Sequence, residues 1–166
     1  MIDSPNPPPA LLHHPEWCRE LASLWSSGIP ISQKMGLRIA AYDGQCFRLH
    51  ANLADNINVH QTMFAGSIYG QCVLAGWGLV WLQLREAGLS GDIVLAKGTI
   101  EYRRPVTEAP EARVDRDGLP EALQPLRSGH SARFDLEVQL FSGDRLAVEL
   151  VGRYVVRPAR APDAGR

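Results

Sequence analysis

Residues 56–69 read NINVHQTMFAGSIY: two asparagines, a histidine and a threonine, then Ala65-Gly66 and the start of a long apolar segment. If a helix begins at Ala65-Gly66, the N–H groups of its first turn have no intrahelical partners, and its aligned peptide dipoles place roughly half a positive charge there. A carbonyl under nucleophilic attack becomes an oxyanion, and a preorganised N–H donor aimed at it lowers the barrier by about 3–4 kcal/mol. Ala65 and Gly66 are small enough to let a carbonyl approach that backbone closely. An unperturbed imidazole titrates near pH ~6.5 and can take a proton from water, so His60 is the first candidate base. Asp55 is the second, and Asn58 would orient the water or donate to the carbonyl.

Each of these residues also has a plainer role. Asparagine favours turns and helix entries because its side chain bonds nearby backbone, which suits Asn56 even better than Asn58. A lone loop histidine is a weak signal, and Ala65-Gly66 would equally let a helix start close against a sheet. From Gly66 to Leu84 there is no carboxylate, and the polar or weakly polar groups are Ser67, Tyr69, Gln71, Cys72 and Gln83. Cys72 lies a turn or more inside apolar sequence, where a thiolate is disfavoured. His13, His14, His50 and His130 stand in no motif and read as structural.

The elements that must hold this stretch follow from periodicity. HPEWCRELASLWSSGIP puts Trp17, Leu21, Leu24 and Trp25 on one helical face, and ISQKMG at 31–36 suits one more helical turn. LRIAAYDGQCFRLHAN reads as a hairpin turning at Asp43-Gly44. Residues 66–87 are apolar around the whole circumference, so that helix must be enclosed, with Gly70, Gly76 and Gly78 as close-packing positions. DIVLAKGTIEYRRPV predicts a long strand closed by Pro105, and EARVDRD a shorter one. Residues 117–130 read as loop. RFDLEVQLF and RLAVELVGRYVV alternate with period two and join through Ser142-Gly143-Asp144. A hairpin, one long apolar helix and four further strands make an α+β fold in which a curved antiparallel sheet wraps the helix; a doubly wound sheet is excluded.

The 166 residues suffice for one domain, expected over 13–157, with a flexible leader at 1–12 and a disordered tail at 158–166. A formal net charge of -1 suggests no nucleic-acid partner. Three widely spaced cysteines without a CxxC pair argue against a disulfide framework or a zinc site and for a reducing, cytoplasmic setting. Residues 68–84 are strongly apolar but carry Gln71, Gln83 and three glycines, and fall short of the ~20 residues of a membrane helix. Arg103-Arg104, beside Pro105, could meet phosphate groups or be an ordinary solvated strand end.

NVHQTMFAGS at 58–67, LAGWGLV at 74–80 and DIVLAKGTIEYRRPV at 92–106, in this order of elements, resemble hotdog-fold proteins, in particular the thioesterase domain of the YiiD C-terminal type. The resemblance covers roughly residues 30–157. It implies a hotdog fold, acyl-CoA or acyl-carrier-protein thioesters as ligands, no cofactor or metal, and a homodimer or dimer of dimers with an acyl tunnel between subunits. Asn58, His60 and Thr62 stand where similar thioesterases acting on phenylacetyl-CoA-type substrates carry such residues before a His-Gly-Gly triplet, here Phe64-Ala65-Gly66. Thr62, Phe64, Ser67, Arg103 and Arg104 are the substrate-binding residues this implies. Two positions depart from the pattern: the triplet histidine is Phe64, and Val73 stands where those relatives carry a catalytic helix acid. Hydrolysis therefore ranks first, ahead of a dehydratase-like lyase, which pairs its histidine with that acid. A noncatalytic acyl-thioester binding protein is the remaining alternative.

Overall fold

The computed structural model describes residues 11–159. Most of the expected leader and tail lies outside this range, but Leu11 and Leu12 do not behave as leader. Tyr42 N–H donates to Leu11 O at 2.9 Å and His13 N–H to Tyr42 O at 2.6 Å, so the chain enters as a short cover on a strand edge. Helix α1 (Pro15–Gly28) follows, then the single turn α2 (Ile31–Lys34). Cys18, Leu21 and Trp25 form the buried stripe of α1, whereas Leu24 is 43% exposed. The apolar face is thus rotated toward Cys18 relative to the sequence expectation.

Strands β1 (Arg38–Tyr42) and β2 (Cys46–His50) form the expected hairpin, with the Asp43 carboxylate accepting from the N–H groups of Gln45 and Cys46 at 2.8 and 2.7 Å. These bonds fold the turn in the way aspartate favours and hold the Asp43 carboxyl below its usual range. After a 3-10 turn at Leu53–Asn56 comes α3 (Ala65–Glu86), 22 residues long, then β3 (Gly91–Tyr102), β4 (Pro110–Asp115), the short helix α4 (Leu119–Ala122), β5 (Ala132–Ser142) and β6 (Arg145–Pro158). The six strands make one antiparallel sheet in the order β1-β2-β4-β5-β6-β3.

Alternate residues of the central strands face the helix: Phe47 and Leu49, Ala112 and Val114, Leu136, Val138 and Leu140, and Val148, Leu150, Tyr154 and Val156 are all buried. Ile68, Cys72, Leu79 and Leu82 of α3 meet them in one core. Each buried Val or Leu contributes about 1.5–3 kcal/mol, which offsets the roughly 1 kcal/mol per glycine lost in helix propensity. Gly76 shows what the missing side chain is for: an added Cβ would stand 2.8 Å from Cζ of Tyr154, whose hydroxyl donates to Val73 O at 2.8 Å. The polar groups inside the helix anchor it to the sheet. Gln71 Nε2 donates to Leu49 O and Pro110 O at 2.8 and 3.1 Å, and Gln83 Nε2 to the Tyr42 hydroxyl at 2.8 Å.

Two boundaries differ from expectation. β3 ends at Tyr102 rather than at Pro105, because the N–H groups of Arg103 and Arg104 both turn to Ala147 O. The segment 117–130 contains α4 and a 3-10 turn at Gln124–Ser128, burying Leu119, Leu123 and Leu126. Pro120 and Pro125 suggest breaks, yet each sits in a first turn, where a missing N–H costs nothing.

Candidate active site

The N-terminus of α3 emerges from the sleeve at the polar loop. Asn56, 4% exposed, donates through Nδ2 to Met35 O at 2.8 Å and Asn52 O at 2.6 Å, and its own carbonyl accepts from Phe64 N–H at 2.7 Å. Asn56 therefore fixes where the helix begins: its side chain holds it to the preceding segment and its main-chain carbonyl receives Phe64. Asp55 accepts from Asn52 Nδ2 at 2.7 Å, which makes it part of the same 3-10 turn.

Asn58 organises the next five residues. Its Oδ1 accepts from His60 N–H at 2.8 Å and Thr62 N–H at 3.3 Å; its Nδ2 donates to Thr62 Oγ1 at 2.9 Å and, at 3.4 Å, to Met63 O. Backbone bonds from Asn58 N–H to Thr62 O at 2.7 Å and from Gln61 N–H to Asn58 O at 3.0 Å complete a closed loop, with Gln61 at φ 61°. The carboxamide is thus engaged within the protein, and Thr62 Oγ1 with it. The loop tip stands in solvent: Val59 is 89% exposed and His60 is exposed, its imidazole without a protein partner among the described residues.

At the helix start, Ala65 and Gly66 are exposed and Ser67 half-buried. The first bond into the helix is Ile68 N–H to Phe64 O at 3.0 Å, so the N–H groups of Ala65, Gly66 and Ser67 have no partner among the described residues. Phe64, 56% exposed, lays its ring over Gly66: a Cβ there would stand 2.9 Å from Phe64 Cζ. Only a glycine leaves both the ring and the amide this close.

Tyr102, absent from the expected site, closes the other side. Its hydroxyl donates to Ala65 O at 3.0 Å, and Met63 N–H donates to Val106 O at 2.8 Å, so residues 102–106 run beside the helix start. Burial, with Cys72 and Tyr69 nearby, raises the Tyr102 phenol above its ordinary range and keeps it a neutral donor. Arg103 is shared between Glu101, at 3.1 Å, and Glu149. Arg104 is exposed, has no ion pair among the described residues, and lines a groove of about 270 Å³ with Pro105, Thr107 and Arg145. Burial pushes the Cys72 thiol up to about 12, which removes it as a nucleophile.

This arrangement offers open, unpartnered amides at the end of a buried 22-residue helix, a solvent-facing imidazole on a braced loop, and no carboxylate along the helix until Glu86. A groove of about 870 Å³ between α1 and the far end of α3, lined by Trp17, Leu24, Trp81 and Arg85, is distant from this chemistry along the helix.

Similar proteins share the whole architecture. A putative thioesterase of Shewanella oneidensis is 44% identical, over 86% of this chain and 99% of that one, with a TM-score of 0.81. A protein of unknown function from Chlorobaculum tepidum is 30% identical, over 86% and 94%, with a TM-score of 0.80. A probable thioesterase from Pseudomonas aeruginosa, at 21% identity over 85% and 95% and a TM-score of 0.70, shares the fold. The sheet wrapped around α3 is the hotdog fold of these proteins. Residues 18–158 match the family described as "Putative thioesterase (yiiD_Cterm)", and the chain belongs to that family.

Proposed function

We propose that the protein is an acyl thioester hydrolase acting on acyl-CoA or acyl-carrier-protein substrates. The observation that carries this reading is the set of unpartnered N–H groups at Ala65, Gly66 and Ser67. The thioester carbonyl oxygen sits against the amides of Ala65 and Gly66, where the helix dipole and the N–H donors favour the oxyanion. His60 takes a proton from a water molecule, whose oxygen attacks the carbonyl carbon; the C–S bond breaks and the sulfur leaves as thiol, taking up that proton. Asn58 serves this step by bracing the loop that carries His60, since its carboxamide is engaged by that loop. Thr62 completes the brace, while Phe64 and Ser67 flank the acyl group at the helix mouth. Arg104, with Arg103 behind it, meets the phosphates of CoA or of the phosphopantetheine arm.

The proposed site is completed by a second copy. Strand β3 is a 12-residue edge, and beside it Tyr69, Val73, Trp77 and Trp81 form a half-buried stripe on α3. Pairing two β3 edges would remove both exposed edges and enclose an acyl tunnel between the stripes. The unpaired thiols of Cys18, Cys46 and Cys72 support a cytoplasmic location. Among the described residues, no helix is long and apolar enough to cross a membrane.

One observation favours a second reading, a noncatalytic acyl-thioester binding protein: with Val73 in place of an acid, α3 carries no carboxylate before Glu86, at its far end. Incubation with acyl-CoAs of graded chain length, following free thiol, separates the two. Thiol release above background supports hydrolysis; binding without release supports the second reading. With 3-hydroxyacyl-CoAs added to the series, formation of enoyl product by loss of water would instead indicate a lyase.

A further inference from the structure

We propose that His13, His14 and Glu86 form a binding site for a divalent transition-metal ion of the zinc class, at the end of α3 opposite the candidate active site. One ligand atom from each of the three lies within 4.8 Å of the others. His13 Nε2 and Glu86 Oε1 are 3.1 Å apart. Two donors each about 2.0–2.1 Å from a tetrahedral zinc are separated by about 3.3 Å, so this pair already spans one edge of the coordination polyhedron. The ion would take the place of the direct contact between the two atoms. Two imidazoles and a carboxylate make a donor set suited to zinc, with solvent in the remaining position.

The donors are held rather than free. His13 is fixed by its N–H bond to Tyr42 O at 2.6 Å, and its ring meets Tyr42 edge to face with centroids 5.9 Å apart. His14 stacks on Trp17 at 3.8 Å and lies 3.3 Å, at Nδ1, from Glu16 Oε1. The two histidine rings are 4.1 Å apart. Glu86 is oriented through its other oxygen, which accepts from Gln83 Nε2 at 3.0 Å and lies 3.7 Å from Arg116 NH1, leaving Oε1 turned to His13. Such outer contacts orient metal ligands. The histidines are adequately accessible, at 46% and 35% side-chain exposure. The bound ion would clasp three parts of the fold: the Leu11–His13 cover on β1, the start of α1, and the last turn of α3.

The test uses the full-length protein stripped by chelator and titrated with Zn2+ against a chromophoric zinc indicator. One equivalent is expected at micromolar or lower Kd, with the Tm rising by about 5 °C or more at saturating metal. His13→Ala and Glu86→Gln should each weaken binding at least tenfold, while His130→Ala leaves it unchanged. Equal far-ultraviolet spectra in chelator establish that the variants fold, and Glu86→Gln keeps the shape of the site where His13→Ala removes a ring. Co2+ in place of Zn2+ should give the visible bands of a tetrahedral nitrogen and oxygen site. Absence of stoichiometric zinc binding, or binding that persists in the His13→Ala, Glu86→Gln double variant, would overturn the assignment.

Discussion

At the scale of single residues, Asn58 and Tyr102 control the geometry of the helix mouth. Asn58→Ala removes four side-chain bonds from the loop, at a net cost of about 1–2 kcal/mol, so thermal denaturation should show a Tm about 2–8 °C lower. Asn58→Asp, which keeps the acceptor for His60 N–H and Thr62 N–H, should recover part of that loss. Tyr102→Phe deletes only the hydroxyl that bonds Ala65 O. It should lower kcat of thioester hydrolysis by about threefold to tenfold with the Tm almost unchanged, if positioning of the first turn matters to about 1 kcal/mol. The Asn58 to Gly66 stretch stands out in the sequence as a candidate site, since asparagine, histidine and an Ala-Gly pair come together ahead of an apolar helix. The division of labour within it was not legible, because whether Asn58 faces water or its own loop depends on backbone angles such as Gln61 at φ 61°. Tyr102 carried no local signal: its contact joins residues 37 positions apart and exists only once β3 stops where it does.

At the scale of elements, α3 is the part the fold is built around, and its glycines record the contacts it makes. Gly76→Ala places a methyl 2.8 Å from Tyr154 Cζ, in a region where the ring is buried and its hydroxyl is bonded to Val73 O. Overpacking there should cost about 1–3 kcal/mol, read as a lowered midpoint in urea denaturation with an unchanged slope. The enclosed helix, the Asp43-Gly44 hairpin and the alternation of β5 and β6 were all readable, because burial on every side or on alternate sides leaves a period in the sequence. The short helix α4 and the 3-10 turn after it were not, since Pro120 and Pro125 mask the 119, 123, 126 spacing of the buried leucines across them. Nor does periodicity reveal strand order: β3 lies at the sheet edge next to β6, a placement made by the crossover rather than by any residue pattern.

At the scale of the whole molecule, the two edges of the sheet are unlike. Leu11–His13 caps β1 at its Tyr42 end, whereas β3 presents 12 residues with Val94 and Tyr102 exposed at 37% and 46%. A long edge of this kind invites pairing, and sedimentation velocity should give twice or four times the mass of 18.3 kDa; a monomer at micromolar concentration would contradict the shared tunnel. In the proposed mechanism α3 presents an oxyanion site to a thioester while His60 activates water. Its most direct test is the release of free thiol from a chain-length series of acyl-CoAs by the wild-type protein and by His60→Ala. Saturable hydrolysis of at least one substrate is expected, with a kcat/KM lower by about 100-fold in the variant and its fold intact. Equal turnover by the two proteins, or tight acyl-CoA binding with no thiol released by either, would contradict that mechanism.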